Sequence, residues 1–284
     1  MEHKHTRTSN IAIAFFLNFS FAIIELFGGF FTGSTAILSD SVHDFGDSLA
    51  LGTSWFFEKI AKRKPSQTHT YGLHRLSIVG ALINIIILFF GTFFFVKEAL
   101  QTLLNPHPVA TSGMLVLAAF SIIVNGISVL RMHGTKKLLD KTVMLHLLED
   151  LLGGVSLLIV SIIIRFTNWY ILDPILSLAI AVIIIIECIK NTKSIIEVIM
   201  QKVPDADLYA KINKEILEIP NIQKIEQSHM WTLDDEHHVY TAIISVITPK
   251  NQTEDIYKKI KNILCTHAIY DSTIEILPQK SQPQ

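Results

Sequence analysis

Residues 38–57 read LSDSVHDFGDSLALGTSWFF, an apolar stretch that carries Asp40, His43, Asp44 and Asp47 within about two helical turns. A charged side chain at the middle of a bilayer costs roughly 2.5 to 3.5 kcal/mol on insertion scales, so several together require a compensating partner. A bound cation is one such partner, and the rest of the chain decides whether the stretch belongs in a membrane at all.

The composition says that it does. Half of the 284 residues are hydrophobic and only 17% are charged, with a mean hydropathy of +0.42. Ordinary soluble domains fall outside that range. The net charge of −1 carries no information about partners. No basic cluster of the size that nucleic-acid binding requires is present, so no nucleic-acid partner is expected. With only Cys188 and Cys265, neither a disulfide framework nor a cysteine-rich metal site is available. The polar start MEHKHTRTSN precedes an apolar run longer than a signal-peptide core and without its small-residue cleavage pattern, so a retained membrane helix is expected there.

Six apolar segments reach the roughly 20 residues a helix needs to cross a hydrocarbon core: 10–32, 36–58, 76–99, 111–132, 143–165 and 171–190. Lys59, Lys62, Arg63, Lys64 and Arg75 fall between the second and third, and Arg131, Lys136, Lys137 and Lys141 between the fourth and fifth. The alternate connections hold little beyond Lys97 and Arg165. Positive charge marks the cytoplasmic side, which places both termini in the cytoplasm. The compact loops point to a bacterial inner membrane.

Past about residue 203 the composition becomes that of a soluble domain. DADLYAKINKEILEI has helical periodicity with Asp205 as a cap. IQKIEQSHMWTL and HHVYTAIISVI read as strands around the turn-like DDE, TEDIYKKIKNILCTHA as a helix, and STIEIL as a last strand. The expected organisation is an N-terminal tail (1–9), a six-helix transmembrane domain (10–190), a linker (191–203), an αββαβ domain (204–277) and a disordered tail (278–284).

Residues four apart share one face of a helix, so His43 and Asp47 in HDFGD point at one spot. HLLED repeats the arrangement in the fifth segment with His146 and Asp150. Two such pairs on packed helices supply two imidazoles and two carboxylates, a tetrahedral N2O2 set. Zinc accepts those donors at four-coordinate sites, whereas magnesium and calcium prefer oxygen shells of higher number, so the donors favour Zn2+, with Co2+ also compatible. Metal binds only when the imidazoles are neutral and the carboxylates ionised. Competition with protons on the same groups suffices for metal/proton antiport, and His43 and His146 are the expected proton carriers.

A single His-x3-Asp arises by chance; two copies inside apolar helices are a different matter, because polar residues there are functional by default. Asp40 shares the arc of His43 and Asp47, but near the start of its segment it serves equally as a cap. Asp44, offset by one residue, is a secondary metal candidate. Glu149 points away from Asp150. Glu25, Asn18, Asn84 and Asn125 read as interhelical hydrogen-bonding groups, and Asp173 before Pro174 as the cap of its own helix.

Taken in order, NFSFAIIELFGGFFTGSTAILSDSVHDFGDSLAL, THTYGLHRLSIVGALIN, HLLEDLLGGVSLL, WYILDP and HMWTLDDEHHVYTAIISV resemble the corresponding stretches of the cation diffusion facilitator family, which includes bacterial cobalt-zinc-cadmium efflux proteins, over nearly the whole chain. The resemblance implies a homodimer of six-helix protomers in the lipid bilayer, with a cytoplasmic ferredoxin-like, metallochaperone-like domain. It also implies export of divalent metal in exchange for protons by alternating access. The transport site it implies is His43, Asp47, His146 and Asp150, and His at the first position is the pattern of zinc-selective members rather than those that accept cadmium.

The chain departs from the family pattern in places. The loop between the fourth and fifth segments holds only His133. The second-to-third connection, which can hold another metal in the family, offers His69 and His74 with no acid nearby, and Ser77 stands where Glu is usual. In the soluble domain His229 occupies a position used for regulatory metal, but Ile243 replaces a second-strand His and STIEIL lacks a final His-x-Asp. His237, His238 and His267 are possible substitutes or plain exposed histidines, leaving a regulatory Zn2+ open.

Rival readings are an intramembrane zinc enzyme, a passive metal channel and a membrane metal sensor. A protease would show His-Glu-x-x-His, and HLLED has neither the order nor the second His, so no enzyme is expected. A tight four-ligand site suits a carrier better than fast conduction.

Overall fold

A computed structural model of the chain describes the backbone of residues 2–61, 65–132, 138–234, 237–247 and 253–278. Within these, side chains are described from residue 15 onward except at 54–55, 58–59, 61, 128–129, 131–132 and 138–147. The chain divides into two compact units, one of residues 1–58 and 80–192 and the other of 59–79 and 193–284.

Among the described residues the first unit is built from the greater part of six helices: α1 (Glu2–Thr32), α2 (Thr35–Ala61), α3 (Leu76–Leu104), α4 (Thr111–Met132), α5 (Leu138–Thr167) and α6 (Leu172–Ile199). Stretches of four of them, Phe15–Thr32, Leu76–Leu104, Leu148–Thr167 and Leu172–Ile199, are long and apolar enough to cross a membrane. The apolar part of α4, Thr111–Ile127, is shorter, and α2 carries the acids of the opening stretch. On α3, Phe89, Phe90, Phe93 and Phe94 all point outward, each more than half exposed. A row of bare phenyl rings is unfavourable in water and at home against lipid tails.

α4 and α5 pack along each other. Gly154 permits their approach, since a Cβ there would meet Ser121 Oγ at 3.0 Å and Ile122 Cγ1 at 3.2 Å. At one end of the bundle Ile37 of α2, Met114 and Ala118 of α4, and Leu157 and Ile164 of α5 form a buried cluster, with Leu172 and Leu176 of α6 against it.

The same end is fixed by a polar clamp. Asp173, the second residue of α6, is fully buried. One of its oxygens accepts from the Ser34 hydroxyl (2.5 Å) and the Ala36 N–H (3.4 Å), and the other from the N–H (2.7 Å) and hydroxyl (2.8 Å) of Thr35. Asp173 therefore caps α2 rather than its own helix, which corrects the sequence expectation. These are the orphan N–H groups of a helix start, which need an acceptor when buried. Four residues on, the hydroxyls of Ser39 and Ser177 meet at 2.6 Å.

In the second unit, α7 (Ala206–Leu217) is followed by β1 (Ile222–Thr232), β2 (His238–Val246), α8 (Thr253–Thr266) and β3 (Asp271–Pro278), the αββαβ order read from the sequence. Asp205 caps α7 as expected, accepting from the N–H groups of Asp207 and Leu208. β2 is central, antiparallel to β1 and parallel to β3. Ile212 and Ile216 of α7 and Ile256, Ile260 and Leu264 of α8 recur at helical spacing and bury against Met230, Tyr240 and Ile244 of the sheet. Burial pushes the Tyr240 phenol up to about 12, and its hydroxyl donates to Asn213 Oδ1 at 2.6 Å.

Two boundaries differ from the sequence reading. α6 continues to Ile199, so most of the expected linker 191–203 is helix; the backbone hydrogen-bond ladder does not stop where the apolar run ends. The connection between α2 and α3, expected within the transmembrane domain, clusters with the C-terminal unit.

Candidate metal centre

His43 and Asp47 lie one turn apart on α2, and Asp150 projects from α5. His43 Nε2 is 3.6 Å from Asp47 Oδ2 and 3.8 Å from Asp150 Oδ1. One ligand atom from each of the three residues lies within 4.8 Å of the others. A zinc tetrahedron with bonds of about 2.0–2.1 Å has edges of roughly 3.3 Å. The three groups thus stand slightly wider than such an ion would hold them, too far apart for direct hydrogen bonds and close enough to share a cation.

The remaining sequence candidates divide. His146 lies on α5 one turn before Asp150, and its side chain falls outside the described residues. Asp40 is the sixth residue of α2, so it does not cap that helix. Its Oδ1 lies 3.6 Å from where a Cβ on Gly153 would stand, against α5. Asp40, Asp44, Asp47 and Asp150 all interact electrostatically with His43. Asp44 and Glu25 of α1 interact electrostatically, and Glu25 is buried. Asn125, expected to bond between helices, donates within α4 to Ser121, at 3.4 Å.

Among the described residues, His69, His229 and His267 join no group of three converging ligands. His69 Nδ1 meets the Thr68 hydroxyl at 3.1 Å. His229 sits near the end of β1, where its Nε2 accepts from the Gln227 amide at 2.6 Å. His267 pairs with Glu215 at 2.9 Å, tying the end of α8 to α7. His74 has an acid after all: Asp234 Oδ2 lies 3.1 Å from its Nδ1. The sequence showed none nearby because the partner comes 160 residues later.

An apolar helical bundle that gathers one imidazole and two carboxylates in its interior has the makeup of a membrane transporter for cations. A profile of the cation efflux transmembrane domain matches residues 11–200. The chain is 30% identical over 286 residues to a zinc transporter, ZitB, of Pectobacterium atrosepticum, covering 98% of this chain and 89% of the relative. It is 30% identical to a cadmium, cobalt and zinc/H(+)-K(+) antiporter of Bacillus subtilis, covering 97% and 92%. It is 31% identical to the metal cation efflux system protein CzcD of Cupriavidus metallidurans, covering 93% and 84%. The chain belongs to the cation efflux, or cation diffusion facilitator, family: it is a membrane transporter and not an enzyme.

Proposed function

We propose that the protein exports divalent metal, Zn2+ first and Co2+ as a further substrate, in exchange for protons by alternating access. The observation that carries this reading is the convergence of His43, Asp47 and Asp150 between α2 and α5. His146, on the turn of α5 before Asp150, completes the N2O2 set. Relatives named as zinc transporters and as a zinc/H(+)-K(+) antiporter support both substrate and coupling.

In this reading all six helices of the first unit cross a bacterial inner membrane, both termini are cytoplasmic, and two copies of the chain associate. The C-terminal unit is a cytoplasmic ferredoxin-like domain. Cytoplasmic Zn2+ binds the four ligands while the imidazoles are neutral and the carboxylates ionised. Rocking of the bundle turns the site outward. There protons taken up by His43 or His146 weaken the donor set and release the metal.

The test is zinc uptake into proteoliposomes with and without an acid-inside pH gradient. Uptake that accelerates with the gradient and dissipates it is expected. Uptake indifferent to the gradient removes antiport, and the absence of uptake under either condition removes the transport reading.

A further inference from the structure

α2 meets its neighbours in two different ways along its length. At its start the contact is polar and directional: Asp173 of α6 accepts from Ser34, Thr35 and Ala36, and Ser39 meets Ser177 one turn on. Ser34, Thr35, Ser39, Asp173 and Ser177 are each at most 2% exposed, so no water stands by to replace a lost partner. Further along, the described packing contacts of α2 are apolar. The Phe45 ring lies against Phe19 of α1, centroids 5.6 Å apart. Gly46 faces Leu88 of α3, and Gly52 faces Phe15 of α1.

These two kinds of contact respond differently to motion. A hydrogen bond is lost when its partners shift by about an ångström, and a buried carboxylate stripped of its donors is left as a bare charge in apolar surroundings. Apolar side chains slide past one another and keep contact throughout. When the bundle rocks, α2 therefore yields along its apolar stretch and holds at its start.

We propose that the Asp173 clamp is the fixed pivot of the transport cycle: α2 stays joined to α6 at Thr35 and Ser39 in every state and tilts about that point. The proposal rests on the alternating-access reading above and adds where the motion turns. Asp173 is in this sense a positioning residue, acting on the metal through α2.

The geometry makes such a pivot effective. With a rise of about 1.5 Å per residue, His43 stands about 12 Å and Asp47 about 18 Å from Thr35, so a tilt of about 10° carries them sideways by about 2 and 3 Å. Metal–ligand distances tolerate changes of only about 0.2 Å. Asp150 does not follow, because α5 is packed on α4, where a Cβ on Gly154 would stand 3.0 Å from Ser121 Oγ. A small tilt thus draws His43 and Asp47 away from Asp150 while the clamp remains whole.

The test uses full-length protein in which Cys188→Ala and Cys265→Ser remove both native thiols and Ser39→Cys with Ser177→Cys places one new thiol on each side of the clamp. Oxidation closes a disulfide between α2 and α6, and titration of free thiols gives the fraction closed. Zinc uptake into proteoliposomes under an acid-inside gradient is then compared before oxidation, after it, and after reduction. Uptake by the cross-linked protein at the rate of the reduced form is expected. Uptake that stops on oxidation and returns on reduction overturns the proposal, since α2 and α6 would then have to part. Hydrogen exchange of the wild type, metal-free and Zn2+-saturated, is the second measurement. Protection over 34–39 is expected to be the same in both, while protection over 43–52, beyond the pivot, rises with Zn2+. A difference between the two states at 34–39, or none at 43–52, overturns the proposal. Absence of uptake by the wild type would remove the transport reading instead, and the exchange measurement, which needs no transport, still decides whether the clamp holds.

Discussion

Thr35 donates both its backbone N–H (2.7 Å) and its hydroxyl (2.8 Å) to a single oxygen of Asp173, 138 residues away. This joins the first residue of α2 to the second residue of α6. Two turns further along α2 stands His43, so the clamp fixes the start of the helix that carries half of the metal group. Hydrogen bonds to a buried carboxylate are worth about 1.5–3 kcal/mol each, more than those between neutral groups. Asp173→Ala is therefore expected to cost at least about 2 kcal/mol and to lower the thermal unfolding temperature in detergent. Ser177→Ala, which removes one hydroxyl pair, is expected to cost about 1 kcal/mol. Equal melting temperatures for Asp173→Ala and wild type would rule out the clamp.

The closeness of α4 and α5 at Gly154 gives a steric prediction. Branched carbons at this position collide with Ser121 and Ile122, whose nearest atoms already stand 3.0–3.2 Å from a single added Cβ. Gly154→Val is expected to cost about 1–3 kcal/mol by overpacking and, because Asp150 lies one turn earlier on the same helix, to impair zinc flux. Flux at the wild-type rate in a normally expressed Gly154→Val protein would contradict the tight α4–α5 contact.

Tyr240 supplies a pH-dependent observable in the C-terminal unit. Burial raises its phenol from the ordinary 10.0 to about 12, so the folded state resists ionisation that the unfolded chain accepts. The resulting stability is present in full below pH 10 and is lost as the pH rises towards 12. Tyrosinate absorbance is expected to show one late-titrating phenol in the wild type that is missing in Tyr240→Phe. A Tyr240→Phe titration superimposable on that of the wild type would place this ring in water.

Much of the molecule was legible because its signals are local. HDFGD and HLLED each fit in a helical turn, and burying charge in an apolar run is expensive enough to mark both. The αββαβ order followed from alternating periodicities, and the Asp205 cap from a residue type standing before a helix. What escaped were relationships across the chain. Sequence shows that Asp173 stands at a helix start, yet not that the start it serves is that of α2, because an acid's partner is set by packing. His74 looked bare for the same reason, its carboxylate arriving from the β1–β2 turn. The end of α6 was misjudged because apolarity reports the hydrocarbon layer, whereas the helix continues as long as its hydrogen bonds do.

The group between α2 and α5 is the centre of the account, and zinc flux in proteoliposomes under a fixed pH gradient tests it most directly. Asp47→Ala, Asp150→Ala and His146→Ala are to be compared with wild type and with Glu149→Ala, an exposed neighbour outside the ligand group. The account predicts that flux is abolished in the first three and near wild type in the last. Wild-type flux in Asp47→Ala and Asp150→Ala would contradict it.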